Sequence, residues 1–277
     1  MPDGFADITG VRAKLRWANV HLSTLNDELV RLNKAHADTS FIEYGRDGEW
    51  HTVDIKPIAK FPIELSLIAG DIFTNLRDTL DHIVWQLILR EGNKPEQTNS
   101  FPITTSESHF VKVIKTPPKK SEKRSPLYGL PVGGDAWTII EQAQPWFQAK
   151  ANGYEARDDQ LATLAMMSNI NKHRTILISY AVPDQAMLVD MIRWTPVDIN
   201  PIEMILPPWK ALSHEKPTEL VRFLFPTDTN VRMYMDRSFP ISPVFGDENR
   251  QTGGLGTFCT RISQIVDQVA ALPRVNG

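Results

Sequence analysis

The chain has 277 residues, 42% of them hydrophobic and 23% charged, enough to bury a full core as one large domain or two small ones. A formal net charge of -3 and a pI near 6.2 exclude a protein that coats nucleic acid by bulk charge, so any such contact must come from a local patch. The single cysteine, Cys259, excludes an intramolecular disulfide and a cysteine-rich zinc site.

No apolar run approaches the roughly 18 residues needed to span a bilayer. The start Met1-Pro2-Asp3-Gly4-Phe5 has neither a basic region nor an apolar one. A cytoplasmic protein without membrane contact is expected.

Ile8, Val11, Leu15, Ala18, Leu22, Leu25, Leu29 and Leu32 alternate at spacings of three and four, a heptad seam. This predicts a long first helix over residues 8–36, packed on another long helix or, as a homodimer, on a second copy of the chain. Residues 41–44 and 49–55 are β-rich and flank Gly45-Arg46-Asp47-Gly48, which predicts a small hairpin. Pro62 suits the first turn of a second helix. Leu65, Ala69, Ile72, Leu76, Leu80, Ile83 and Leu87 carry that helix forward until Gly92 and Pro95 end it.

Residues 93–135 are proline-rich and include a basic stretch from Lys112 to Arg124, which predicts an exposed loop over about 112–126. Short helices are predicted over 106–114 and 135–147. Asp158 or Asp159 can cap a further helix that runs through Leu161, Leu164, Ala165 and Ser168 to His173. Residues 175–182, 187–194, 220–225 and 231–238 are short, alternating and divided by Pro, Asp and Asn, and predict an antiparallel sheet. The Gly253-Gly254-Leu255-Gly256 stretch reads as a linker to a last amphipathic helix that carries Phe258, Cys259, Ile262, Ile265, Val269 and Leu272.

The fold expected is therefore α+β: a long-helix bundle with a small β-hairpin, plus an antiparallel sheet in the C-terminal half. Residues 1–173 would form the bundle with the inserted hairpin at about 41–55. Residues 174–250 would form the sheet, and 251–277 a helix returning to the bundle, all in one integrated unit.

Two clusters carry chemistry. On the second helix Asp71, Asn75, Asp78 and His82 follow at spacings of four, three and four and share one stripe, with Arg77 and Asp81 beside it. At i to i+4, Asp78 can accept a hydrogen bond from His82 and Arg77 can pair with Asp81. A carboxylate so placed fixes the imidazole tautomer, which a general acid or base needs. The same pattern also describes an ordinary solvated helix face.

The second cluster is Ser168-Asn169-Ile170-Asn171-Lys172-His173-Arg174, at a helix C-terminus whose dipole such cations complement. Asn169 and His173 share a face. An amide, an ammonium, an imidazole and a guanidinium within six residues can also bind phosphate or an anionic transition state.

The segment Asn75-Leu76-Arg77-Asp78-Thr79-Leu80-Asp81-His82 resembles the Arg-x4-6-His motif of HEPN domains, helical modules of RNA-cleaving toxins and antiviral systems. The resemblance implies metal-independent RNA cleavage by 2′-hydroxyl attack. His82 would be acid or base, Arg77 stabiliser of the phosphorane, and Asp78 the orienting group. In that family the motif usually closes a small helical domain, and two protomers bring their copies together; here almost 200 residues follow it. The chain also resembles bacterial proteins without assigned activity that combine an LRxxLDH helix with an NxxKHR segment. Leu76 to His82 and Asn169 to Arg174 match these, which implies that the two segments form one site.

Asp71, Asp78, His82 and His173 could form a mixed ligand set for zinc, iron or manganese. No H-E-x-x-H or Glu-x-x-His pair falls on a predicted helix, and Arg77, Lys172 and Arg174 would repel a cation, so no metal or cofactor is expected. P-loop, G-x-G-x-x-G and G-x-S-x-G motifs are absent from the sequence.

The function expected is a HEPN-like endoribonuclease of phage defence or toxin type. Arg77, Asp78, His82 and His173 would be catalytic, and Asn75, Asp81, Asn169, Lys172, Arg174, Lys119 and Lys120 would bind substrate. The two loop lysines read as a phosphate-gripping arm, and Tyr128, Trp137, Trp146 and Phe147 as rings available for base stacking. One alternative is a small-molecule hydrolase or related enzyme with a His82/His173 acid-base pair in an apolar pocket. Another is a non-catalytic binding or assembly protein that uses the first helix.

Overall fold

The computed structural model describes residues 6–36, 42–57, 60–115, 124–181, 189–208, 213, 215–227, 229–235, 242–246, 251–252 and 254–273. The architecture is α+β, as the sequence predicts. The chain divides into two compact units, one of residues 1–27, 66–176 and 254–277, the other of residues 28–65 and 177–253.

The long helices are α1 (Thr9–His36) and α2 (Ile63–Arg90), whose residues 9–27 and 66–90 belong to the first unit. Asp7 accepts the Thr9 amide at 3.0 Å at the start of α1, a bond that holds its carboxyl below the ordinary carboxylate range. Val11, Leu15, Ala18 and Leu25 of the expected seam are buried within the chain itself, so this stretch is not a free dimer surface. A Cβ added at Gly256 would lie 3.8 Å from Leu22, which places the C-terminal helix beside the seam.

Pro62 precedes α2 and its carbonyl accepts the Leu65 amide at 3.1 Å. Gly92, at φ 74°, ends the helix, with the Asn93 amide bonded back to the Ile88 carbonyl at 3.1 Å. Between these ends α2 is buried on more than one side: Ile72, Phe73, Leu76, Leu80, Ile83, Val84, Leu87 and Ile88 are all inaccessible. Each such side chain contributes roughly 1.5–3 kcal/mol by leaving water. This helix is the axis of the first unit.

Around it lie α3 (Glu107–Phe110), capped by Ser106 and continued by a wide turn over Val111–Lys115, then α4 (Asp135–Gln142), α5 (Pro145–Asn152), α6 (Gln160–His173) and α7 (Leu255–Ala270). The single helix expected over 135–147 is two, because Pro145 has no amide to continue α4 and starts α5 instead. Trp137 is 2% exposed and packs with Trp146 around Phe110. Trp137 is thus core rather than a base-stacking platform, whereas Tyr128 is exposed under the Arg124 guanidinium, 4.5 Å from its ring centre. Cys259 is buried on α7, and burial pushes its thiol pKa up.

The second unit is built on antiparallel strands. β1 (Ile42–Asp47) and β2 (Trp50–Ile55) form the hairpin, joined through Gly48 at φ 62° and Glu49. β1 runs further than expected because Gly45 continues the ladder opposite Thr52, whose hydroxyl occupies the space of a Cβ at Gly45. The hairpin belongs to the second unit. β2 pairs with β6 (Thr218–Leu224), which also pairs with β5 (Glu203–Ile205), to give a four-stranded sheet of order β1-β2-β6-β5.

Two smaller sheets follow: β3 (Leu177–Ala181) with β8 (Ser242–Gly246) and β9 (Gln251–Thr252), and β4 (Ile192–Thr195) with β7 (Arg232–Met235). Among the described residues, the one sheet expected over residues 174–250 is thus split in three. Val53, Ile55, Ile192, Val221, Phe223 and Phe225 form the core of this unit. No helix among the described residues is long and apolar enough to cross a membrane.

Candidate functional site

The polar stripe of α2 meets α1 in an antiparallel register. A Cβ built at Gly10 would lie 3.1 Å from His82 Cε1, and one turn along each helix Lys14 Nζ lies 3.0 Å from Asp78 Oδ2. Asp78 therefore pairs with a cation 64 residues away in sequence instead of orienting His82. The full positive charge of the ammonium binds the carboxylate in place of the imidazole bond that i to i+4 spacing suggests. His82 is held by shape: the missing side chain at Gly10 makes room for its ring. Its Nδ1 is buried without a hydrogen-bond partner, so Nε2 is the nitrogen left to meet a ligand.

Arg77 and Asp81 form the ion pair expected, at 2.9 Å, but the pair has a further task. Arg77 Nη2 also donates to the Phe101 carbonyl at 2.7 Å, and the Phe101 amide donates to Asp81 Oδ1 at 2.8 Å. The two side chains thus clamp both backbone groups of one residue. Burial pushes the Asp81 pKa up; the Arg77 charge and the Phe101 amide oppose that rise, and among the smaller influences Asp78 adds to it and Lys172 counters it. Arg77 keeps only 18% of its side chain exposed.

The clamped segment is fixed from its other end by Gln144, which is fully buried. Gln144 Oε1 accepts the Thr104 amide and hydroxyl at 3.0 and 3.2 Å, and Nε2 donates to the Pro102 and Ile140 carbonyls, both at 2.9 Å. Residues 101–104 are therefore a rigid strap beside the α2 stripe.

The second cluster does reach α2. Asp159 caps α6 by accepting the Leu161 amide at 2.7 Å, and the last turn of α6 lies against the first half of α2. Asn171 Nδ2 donates to Thr74 Oγ1 at 3.1 Å, and Asn171 Oδ1 fills the place of the absent side chain at Gly70, where a Cβ would come within 2.2 Å of it. Lys172, next in sequence, acts electrostatically on Asp81. Asn169, Lys172, His173 and Arg174 are exposed. Among the described residues no hydrogen bond or ring contact joins His173 to His82.

Asn75 turns one amide N–H back onto its own helix, donating to the Asp71 carbonyl at 2.8 Å. Lys119 and Lys120 lie outside the described residues. Sequence reasoning missed Gly10, Lys14, Gly70, Asn171 and Gln144. A glycine in a predicted helix interior, as at 10 and 70, is the one local sign of close approach that could have found two of them.

Among the described residues no group of three His, Cys, Asp or Glu side chains converges closely enough to hold a metal ion. In the first unit a polar cleft of about 410 Å3 is lined by residues that include Tyr154, Asp159 and Arg261. Tyr154 donates to Asp159 Oδ2 at 2.7 Å. Burial and that bond push its pKa up to about 12, so the phenol stays protonated. A second cleft, of about 530 Å3, lies over Arg124 and Tyr128. Neither is lined by His82 or His173.

No family model matches the chain, and neither a curated protein nor a solved structure is similar to it.

Proposed function

We propose that the polar stripe of α2 is the reaction centre of a HEPN-like, metal-independent endoribonuclease. The reading starts from the resemblance of Arg77 to His82. The observation that supports it is the docking of the last turn of α6 along α2, which brings the Lys172 charge to bear on Asp81, the neighbour of His82. A base, two lysines and a rigid strap then lie along about 16 Å of one helix.

In this reading His82 Nε2 removes the proton of a ribose 2′-hydroxyl and the oxygen attacks the adjacent phosphorus. The bond from phosphorus to the 5′-oxygen breaks, the proton passes to that leaving oxygen, and a 2′,3′-cyclic phosphate remains. Lys14 and Lys172 supply positive charge to the phosphate as negative charge builds on it. Arg77 serves as a positioning residue through the Phe101 clamp, a different part from the phosphorane stabiliser that the resemblance implies. Asp78 holds Lys14 rather than the imidazole.

The experiment is incubation of the purified full chain with single-stranded RNA in the presence of a chelator. Fragments ending in 2′,3′-cyclic phosphate are expected, with no cut in a strand whose 2′-hydroxyls are replaced by hydrogen. Intact RNA, or cleavage that persists without the 2′-hydroxyl, would overturn the reading.

A further inference from the structure

The second unit holds a cleft of its own, built around Arg46 and His51. These two residues are direct partners in the β1–β2 register, so both side chains project from one face of the hairpin. His51 is 7% exposed, with its ring edge against Phe225 at 5.3 Å between centroids. Arg46 Nη2 lies 3.1 Å from His51 Nε2. A guanidinium only donates, so Nε2 accepts and the ring proton sits on Nδ1. Burial, and after it the Arg46 charge, push the His51 pKa down, which keeps the ring neutral and the acceptor available.

A neutral imidazole set in the core thus orients a guanidinium without cancelling its charge. The nearby Arg222 is treated differently: Glu219 accepts from its Nε and Nη2 at 2.7 and 2.6 Å, and Asp47 lies 3.7 Å from its Nη1. Arg46 has no carboxylate at ion-pair distance among the described residues, and it is exposed. It opens onto a cleft of about 230 Å3 whose apolar wall is Ile202, Leu224, Phe225 and Pro226. The wall is fixed by the sheet, since the Ile202 amide donates to the Leu224 carbonyl at 2.7 Å.

We propose that this cleft binds a small monocarboxylic acid, its carboxylate on the free edge of the Arg46 guanidinium and its apolar body against Ile202, Phe225 and Pro226. The planar fork of arginine matches a carboxylate with two parallel hydrogen bonds. The volume is below the roughly 300–1,000 Å3 of drug-sized sites, which selects a compact ligand. Glu49 lines the same cleft, and its charge repels a dianion such as a phosphate monoester about twice as strongly as a monocarboxylate.

The test titrates phenylacetate and hexanoate into the full chain, read by saturation transfer to the ligand and by the ring-nitrogen shifts of His51. Both acids are expected to saturate with dissociation constants of about 1 mM or tighter, in keeping with ligands of some ten heavy atoms. Phenethyl alcohol, the same body without the charge, and the Arg46→Gln protein with either acid are each expected to bind about tenfold more weakly or worse. Failure of both acids to saturate by about 10 mM, equal binding of the alcohol, or unchanged affinity in Arg46→Gln would overturn the proposal.

Discussion

Gly10 of α1 faces the imidazole of His82 on α2 so closely that a Cβ at position 10 would lie 3.1 Å from Cε1. The Gly10→Ala substitution therefore sets two effects against each other. Alanine favours the helix by up to about 1 kcal/mol over glycine, while its methyl group pushes the ring aside. Unchanged or raised thermal stability is expected together with lowered RNA cleavage, since the ring must give by a few tenths of an ångström and a reacting group is sensitive to its placement. Melting temperature and cleavage rate, measured on the same preparation, check this.

Gly70 and Asn171 form the tightest approach between α2 and α6. In Gly70→Ala the new Cβ would sit 2.2 Å from Asn171 Oδ1, so the side chain must leave and the bond to Thr74 is lost. A loss of roughly 1–3 kcal/mol is expected from overpacking. Asn171→Ala on the Gly70→Ala background should recover much of it, because the clash goes with the amide. Urea unfolding of the two single variants and the double variant gives the coupling; strictly additive effects would show that the two positions do not touch.

Arg77→Lys keeps the charge and loses the planar fork that bonds Asp81 and the Phe101 carbonyl together. One ammonium cannot reproduce that geometry, and a loss of roughly 1–3 kcal/mol is expected. Because Arg77 acts through the strap, the amide of Phe101 should exchange hydrogen faster in the variant. Unchanged exchange there would show that the clamp does not hold the segment.

Asp81 gives a pH dependence whose sign differs from that of most carboxylates. Its folded pKa is raised, mainly by burial, above the ordinary 3.8. The folded chain therefore binds this proton more tightly than the unfolded chain, and stability falls as pH rises from 3.8 through the folded value. Asp81→Asn removes the titration and keeps an oxygen for Arg77 and the Phe101 amide. Relative to the wild type, the variant should gain stability as pH rises from 3.8 through the folded pKa, as read by melting temperature. A relative loss over that interval would mean that the carboxylate is stabilised where it sits.

What was legible in the sequence was periodic. The leucine and isoleucine spacing of α1 and α2, the glycines of the hairpin turn and the Asp159 cap mark their elements because the signals are local. The sheet partner of the hairpin was not legible, since pairing Val53 with Val221 joins segments that no short-range rule connects.

Within the site, the Arg77–Asp81 pair followed from helical spacing. Asp78 did not go to His82 because Lys14 arrives from another helix. Helical spacing puts Asn169 on the face of His173; the two amides Asn169 and Asn171 point about 200° apart on α6, and it is Asn171 that faces α2. Gln144 was invisible because a buried amide with four hydrogen bonds looks, in sequence, like any polar residue before a proline.

The most direct test of the reaction centre is the cleavage rate of one defined single-stranded RNA by wild-type and His82→Ala proteins in chelator, with folding of both verified by circular dichroism. A fall of at least about a hundredfold in the variant, the lower end of what general acid-base catalysis contributes, is the result expected. An equal rate in the two proteins, or no cleavage by the wild type, would contradict it.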